Sequence, residues 1–222
     1  RRVLEQQFSI EQARADRKHS PLCLAVLDID NFKHLNDRLG HSAGDDALKH
    51  LATVVRETLR PSDSLARYGG EEFVILLPDT TPEDGEKVMI RVQRELTRRF
   101  FMHNNERVLI TFSAGLAVRH PDEPQEQLIE RADRAMYEAK RAGRARYVVF
   151  HPAMHEKLAR SVATEADLRL ALQRDELFVV YQPVVDLQHG GPCGVEALVR
   201  WRHPRRGLVS PLDFIPVAEE SG

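Results

Sequence analysis

The chain has 222 residues, enough for one or two domains, and its 42% hydrophobic content can build a core. A formal net charge of −2 leaves no basic footprint for nucleic acid or for an anionic membrane surface. No run reaches the ~20 apolar residues that span a bilayer, and no signal peptide is visible. Cys23 and Cys193 lie far apart in apolar contexts and imply no disulfide framework. The expected compartment is the cytoplasm, whether the protein is free there or is the cytoplasmic part of a membrane-anchored protein. Neither Arg1-Arg2 nor Glu220-Ser221-Gly222 reads as a natural terminus, so a piece of a longer protein is expected.

Residues 2–19 read as a helix, with Val3, Leu4, Phe8, Ala13 and Ala15 at loosely helical spacing. Leu22 to Asp30 reads Leu-Cys-Leu-Ala-Val-Leu-Asp-Ile-Asp, a continuous apolar run that suits a strand covered on both faces. Asp28 and Asp30 end it. Their spacing of two puts both carboxylates on one side, an arrangement better suited to a metal than to a turn. Phe32, Leu35 and Leu39 predict a short helix. A loop across Gly40–Gly44 should follow, then a helix to about Leu59 that Asp45 or Asp46 helps to start. Pro61 ends it.

Arg67-Tyr68-Gly69-Gly70-Glu71-Glu72-Phe73 sits between two apolar runs and reads as a tight hairpin. Glu71 and Glu72 point to opposite faces if both lie in a strand, so one acid can reach a site at the turn. Taken alone, the stretch reads first as an exposed charged hairpin, and the rest of the chain decides whether that reading survives. Thr81-Pro82-Glu83 predicts an N-cap with proline at the first helical position. His103–Glu106 reads as a turn, Val108–Val118 as a strand, Glu126–Ala142 as a helix stopped by Gly143, and Tyr147–Phe150 as a final strand. This alternation predicts an α/β domain with a mixed central sheet flanked by helices. From about His151 the texture changes. A long helix spans Ala153–Gln173, faced by Leu158, Val162, Leu168 and Leu172, and strands follow at Leu177–Tyr181 and Gly194–Val199.

If the end of the first strand and the hairpin turn are neighbours in the sheet, Asp28 and Glu71 converge, with Glu72 or Asp30 nearby. Crowded anions need a cation. Oxygen-only ligands favour Mg²⁺ or Mn²⁺, with phosphate oxygens completing the shell. Lys33 and Lys140 could neutralise a polyphosphate. No glycine-rich loop ends in Gly-Lys-Ser/Thr, which excludes a P-loop enzyme. Metal-assisted phosphoryl or nucleotidyl transfer is the chemistry such a geometry serves.

Gly69-Gly70-Glu71-Glu72-Phe73 resembles the signature of GGDEF-domain diguanylate cyclases in its Glu-Glu form. The same family pattern is met by Leu27-Asp28-Ile29-Asp30-Asn31-Phe32-Lys33, Leu35-Asn36-Asp37, Gly40-His41 and Gly44-Asp45. Ala66-Arg67-Tyr68, Thr111-Phe112-Ser113-Ala114-Gly115, Ala132-Asp133 and Tyr137 to Arg144 continue it, so the resemblance covers about residues 1–150. It implies a cyclase domain over residues 1–152, working as a homodimer that condenses two GTP into cyclic di-GMP with loss of pyrophosphate. It further implies Asp28, the Ile29 carbonyl and Glu71 as ligands of Mg²⁺ or Mn²⁺, and Glu71 or Glu72 as activator of the 3′-hydroxyl. Asn36 and Asp45 would bind guanine, with His41 close by. Phe32, Lys33, Lys140 and Arg144 would hold phosphates, the last two sharing a helix face by their spacing of four.

Arg60-Pro61-Ser62-Asp63 resembles the family's Arg-x-x-Asp inhibitory site for the product, with Arg91 as a second arginine contact. A local surface ion pair, worth little energetically, is the plainer reading of the same residues. At Ala145 the chain departs from the family, which often has asparagine there. The expected effect is on how the last strand begins rather than on chemistry.

The tail carries a second resemblance. Tyr181-Gln182-Pro183, Gly194 to Trp201, His203-Pro204 and Phe214 to Glu219 look like the start of an EAL-domain cyclic di-GMP phosphodiesterase. This implies a linker helix over 153–165 and an EAL fragment over 166–222, with Glu196 as a metal ligand and Gln182 and Arg200 near substrate. That family folds as a TIM-like barrel of ~250 residues, so phosphodiesterase activity is not expected from this chain. An alternative to the cyclase is a non-catalytic GTP-binding module that regulates an EAL phosphodiesterase. The complete acid set of Asp28, Glu71 and Glu72 favours the enzyme.

Overall fold

The computed structural model of the chain describes residues 2–186 and 190–221, and only the backbone of residues 2, 3, 155–162, 220 and 221. The side chains of Val3, Leu158 and Val162, expected on helix faces, lie outside the described residues. The chain divides into two compact units, residues 1–151 and 152–222.

In chain order the first unit comprises α1 (Arg2–Lys18), β1 (Leu22–Ile29), α2 (Phe32–Leu39), α3 (His41–Thr58), β2 (Ser64–Gly69) and β3 (Glu72–Pro78). It continues with α4 (Pro82–Arg98), β4 (Phe101–His103), β5 (Glu106–Val108), β6 (Phe112–Val118), α5 (Gln125–Arg141) and β7 (Tyr147–Val149). The sheet order is β2-β3-β1-β6-β7. Its neighbours run antiparallel except for β6 and β7, which are parallel. The expected mixed sheet flanked by helices is what forms.

β1 lies at the centre, and all eight of its residues are buried. The two-residue period of a strand sorts its side chains to opposite faces. Cys23, Ala25, Leu27 and Ile29 join Phe73, Ile75 and Leu77 of β3 under Leu51 and Val55 of α3 and Met89 and Val92 of α4. Leu22, Leu24 and Val26 join Val74 and Leu76 under Leu4 and Phe8 of α1 and Leu128, Ala132 and Met136 of α5. Both layers exclude water, so each fully buried large apolar side chain contributes about 1.5–3 kcal/mol.

Gly115 fixes how closely α5 approaches the sheet. A Cβ there would lie 1.9 Å from the Ala132 carbonyl oxygen and 2.2 Å from the Met136 nitrogen, both backbone atoms that cannot turn aside. Residues 113 and 115 share a face of β6, and Ser113 is the register partner of Asp28. The tight contact at Gly115 therefore brings the C-terminal half of α5 over the end of β1.

Several elements depart from the sequence reading. The Gly40–Gly44 loop is a single linking residue, Gly40, and α3 starts at His41. Asp45 is thus inside a helix rather than at its start. The strand expected at 108–118 breaks at residues 109–111, and its first part is β5, paired with β4 across Asn104 and Asn105. Both asparagines have positive φ, the geometry of a two-residue hairpin turn. Thr81 caps α4 as expected, its hydroxyl accepting the Asp84 N–H at 3.3 Å.

The second unit contains α6 (Ala153–Gln173), β8 (Leu177–Val185), β9 (Pro192–His203), β10 (Gly207–Val209) and α7 (Pro211–Ser221). Its antiparallel sheet runs β10-β9-β8. Leu168, Ala171, Trp201, Val209 and Phe214 form its small core. The Trp201 indole N–H donates to Glu176 at 3.0 Å.

Substituting Gly115→Ala should destabilise the chain by about 3 kcal/mol, at the upper end of overpacking costs, because backbone must move. The midpoint of urea unfolding measures this. An unchanged midpoint would show that α5 does not sit so close.

Candidate active site

The end of β1 and the start of β3 meet in register, with Asp28 opposite Glu72. By strand alternation both carry their side chains on the α5 face, in line with Val26 and Val74. Glu71 belongs to the turn just before β3 and comes near enough to repel the Asp28 carboxylate. The Lys140 ammonium, from the last turn of α5, bonds Asp28 Oδ1 at 2.9 Å.

Burial pushes the Asp28 pKa up. Lys140 opposes the shift, while Glu71 and Asp30 add to it. Burial also raises Glu72, reinforced by the Asp133 and Asp28 charges. Asp133 is raised too, first by burial and then by Glu130, against the pull of Lys140. Three carboxylates thus crowd a single ammonium in a partly desolvated corner. Among the described residues no three His, Cys, Asp or Glu side chains gather into a ready-made metal cage. The donors present are all oxygens, and burial, joined by repulsion between neighbouring carboxylates, raises the proton affinities of Asp28, Glu72 and Asp133. A hard divalent cation that brings its own water or phosphate oxygens fits such a donor set.

Asp30 does not join this cluster as a ligand. Its Oδ1 accepts the Ser113 hydroxyl at 2.6 Å. Its Oδ2 accepts the Thr111 hydroxyl at 2.8 Å and the Ala145 N–H at 3.0 Å. The expectation of two strand-end acids sharing a metal is corrected to one acid, Asp28, facing the cluster. Arg144 is also misplaced by the spacing argument. α5 ends at Arg141, and Arg144 lies beyond it in the left-handed region, with φ of 61°. Lys140 and Arg144 therefore do not share a helix face.

The α2–α3 corner presents Phe32 and Lys33 in the first turn of α2, Asn36 on its inner side, and His41 as the first residue of α3. A Cβ at Gly44 would fall 2.0 Å from Asn36 Oδ1 and 3.1 Å from the Phe32 ring, so the glycine leaves room for both. Asp45 lines a cavity of about 220 Å³ together with Leu48, Ala52, Leu65, Arg67 and Phe73. Arg67 also donates to the Gly70 carbonyl at 2.8 Å, bracing the turn before Glu71.

Arg60 and Asp63 line a separate cavity of about 380 Å³. The bonds linking the two residues run through the Arg60 backbone: its N–H donates to Asp63 Oδ2 at 3.0 Å, and its carbonyl accepts the Asp63 N–H at 3.0 Å. This is a turn rather than the plain surface ion pair. Arg91 lines a different cavity, with Glu57, Arg94 and Arg99. Two of its guanidinium nitrogens are buried without a hydrogen-bond partner among the described residues. In the second unit, Gln182 stands opposite Glu196 across β8 and β9, and Arg200 opposite Phe178.

Two contributors carry no role in the sequence reading. Asp133 lies seven residues before Lys140, two turns along the same face of α5, and that spacing was the available signal. Arg67 reaches the turn carbonyl through a strand irregularity between Arg67 and Gly69, which no spacing rule reveals.

The sequence matches the family described as diguanylate cyclase, GGDEF domain, over residues 1–146. It matches the EAL domain over residues 165–222. The chain belongs to the GGDEF family and continues into a partial EAL domain. It is 38% identical over 216 residues to the bifunctional diguanylate cyclase/cyclic di-GMP phosphodiesterase MucR of Pseudomonas aeruginosa, covering 96% of this chain and 31% of that protein. It is 37% identical over 215 residues to the cyclic di-GMP phosphodiesterase PdeR of Escherichia coli, covering 96% and 32%. The chain therefore spans about a third of the length of these relatives. The crystal structure of the GGDEF domain of DgcB from Caulobacter crescentus in complex with c-di-GMP is 36% identical. It aligns with a TM-score of 0.64 over 67% of this chain and 89% of that one. The first unit is thus a cyclase-type domain of cyclic di-GMP signalling.

The crowding can be tested by titration. A carboxyl whose pKa is raised by folding binds more protons folded than unfolded, so its ionisation costs stability as pH rises through the folded value. Glu72→Gln removes that cost. Without divalent metal, the variant should melt above the parent at about pH 7, and the gap should close as pH falls towards about 4. A gap independent of pH would contradict the crowding.

Proposed function

We propose that this chain is a diguanylate cyclase that condenses two GTP into cyclic di-GMP and two pyrophosphates as a homodimer. The observation that carries the reading is the convergence of Asp28, Glu71 and Glu72 with Lys140 where β1 meets the β2–β3 hairpin. Asp28, the Ile29 carbonyl and Glu71 would hold Mg²⁺ or Mn²⁺. When bound, that ion supplies charge for the α-phosphate and the departing pyrophosphate. Lys140 and Arg144, with Lys33 and the α2 N-terminus at Phe32, hold the phosphate oxygens.

Asp45 accepts from the N–H groups of the guanine edge and the Asn36 amide accepts or donates beside it, over the apolar floor that Leu48 and Phe73 give the adjoining cavity, with His41 close by. The ribose 3′-hydroxyl loses its proton to Glu71 or Glu72. Its oxygen bonds to the α-phosphorus of the GTP on the other subunit, and the bond from that phosphorus to the β-phosphate bridge breaks. Repeating the step in the opposite sense closes the ring. Raised proton affinity at Glu72 suits a group that must take up a proton near neutral pH. Product binds at Arg60 and Asp63, with Arg91 offering unpartnered donors on the neighbouring helix.

A second reading draws on the phosphodiesterase relative: a GTP-binding regulatory module for an EAL partner. The two differ in one assay. With GTP and Mg²⁺ the chain should form cyclic di-GMP at a rate that rises with protein concentration, and Glu71→Ala should lower kcat/KM by at least about 100-fold. GTP binding without any product, at concentrations that permit dimers, would favour the regulatory module. Arg60→Ala should weaken cyclic di-GMP binding by about tenfold, near 1.4 kcal/mol, in a calorimetric titration. Unchanged affinity would remove that site.

A further inference from the structure

We propose that Asp30 is a positioning residue, whose buried carboxylate pins the phosphate-facing segment Lys140–Ala145 to the strand end that carries Asp28. The inference rests on the cyclase reading for its catalytic consequence and on geometry for its substance. Asp30 is 9% exposed and receives three neutral donors: the Ser113 hydroxyl at 2.6 Å, the Thr111 hydroxyl at 2.8 Å and the Ala145 N–H at 3.0 Å. Its own N–H donates to the Thr111 carbonyl at 3.0 Å. A carboxylate accepts from all three, and of the three the Ala145 N–H can only donate, whereas a hydroxyl can reverse and accept. An amide leaves a single neutral oxygen for the Ala145 N–H and turns its NH₂ to a hydroxyl that must reverse, which weakens the bond a carboxylate makes.

The segment it holds is fixed at both ends. At the helix side, Arg144 N–H bonds the Ala139 carbonyl at 3.1 Å and Gly143 N–H bonds the Lys140 carbonyl at 3.3 Å, with Gly143 at φ 109°. These are the paired bonds that close a helix through a left-handed residue. Arg144 and Ala145 then follow with φ of 61° and 49°. Two successive non-glycine residues in the left-handed region are disfavoured and need an external hold. The Ala145 N–H on Asp30 provides it. Between the two anchors lie Lys140, already on Asp28, and Arg144. Asp30 is two residues from Asp28 and next to Ile29, so one stretch of backbone sets the register between carboxylates and phosphate-binding cations.

The experiment compares the whole chain with Asp30→Asn. No product from the unmutated chain removes the cyclase reading itself. With an active parent, Asp30→Asn should stay folded and lower kcat/KM for GTP by about 30-fold, the scale of loss from sub-ångström misplacement. Adding Ala145→Asn, a residue that tolerates the left-handed region, should recover at least about threefold, which a purely structural role would not produce. Wild-type kcat/KM in Asp30→Asn, or a loss that Ala145→Asn leaves untouched, overturns the proposal. If Asp30→Asn does not fold, the pair Thr111→Val with Ser113→Ala strips two of the three donors and should cost about tenfold; full activity there overturns it equally. Independently of turnover, the Ala145 amide should be protected from hydrogen exchange in the parent chain, and rapid exchange contradicts the pin.

Discussion

Buried negative charge at the end of β1 is the constraint that the rest of the first unit answers to. Asp28, Glu72 and Asp133 all have raised proton affinities, and burial leads in each case. A fold selected only for stability would place apolar groups there, because taking charge out of water costs more than one ion pair returns. The scaffold tolerates this corner because the two apolar layers around β1 are continuous and dry. Those layers also set the geometry. Registry with β3 puts Glu72 beside Asp28, and the Gly115 contact brings α5, with Asp133 and Lys140, over both. A divalent cation and polyphosphate would relieve the imbalance that the protein alone leaves, which is how a destabilised site becomes a binding site.

Much of the fold was legible because its signals are local. The apolar run of Leu22–Asp30 has one good explanation, a strand covered on both faces, and β1 is that strand. Thr81-Pro82 and Gly143 mark helix ends through chemistry that acts within a few residues, and they do so here. The misreadings come from contacts that local patterns do not carry. Asp45 looked like a helix start, yet α3 begins four residues earlier. Gly44 sits inside that helix because α2 and α3 pack closely enough that a side chain would strike Asn36. The stretch from Val108 to Val118 is strand-like from end to end, with Thr111 and Ser113 its polar members, so periodicity cannot see that the chain changes partners at residues 109–111. Spacing joined Lys140 to Arg144 only on the assumption that the helix continues past Gly143.

The site was legible in parts. Its acids stood out as charged residues ending apolar strands, and the family resemblance gave each an expected role. Asp30 shows the limit of that reasoning. Its spacing allied it with Asp28, but its donors Thr111, Ser113 and Ala145 are more than 80 residues away in sequence. In the second unit, the register sets Gln182 opposite Glu196 across one strand pair, a pairing of positions 14 apart that their separate motifs do not reveal.

On this account the carboxylates at the hairpin exist to hold a cation that in turn holds nucleotide. The most direct measurement is the affinity of the whole chain for a non-hydrolysable GTP analogue, titrated with and without Mg²⁺. The account predicts binding that tightens at least about tenfold with Mg²⁺, with that gain lost in Asp28→Asn. Equal affinity with and without the metal, or a full Mg²⁺ gain in Asp28→Asn, would contradict it.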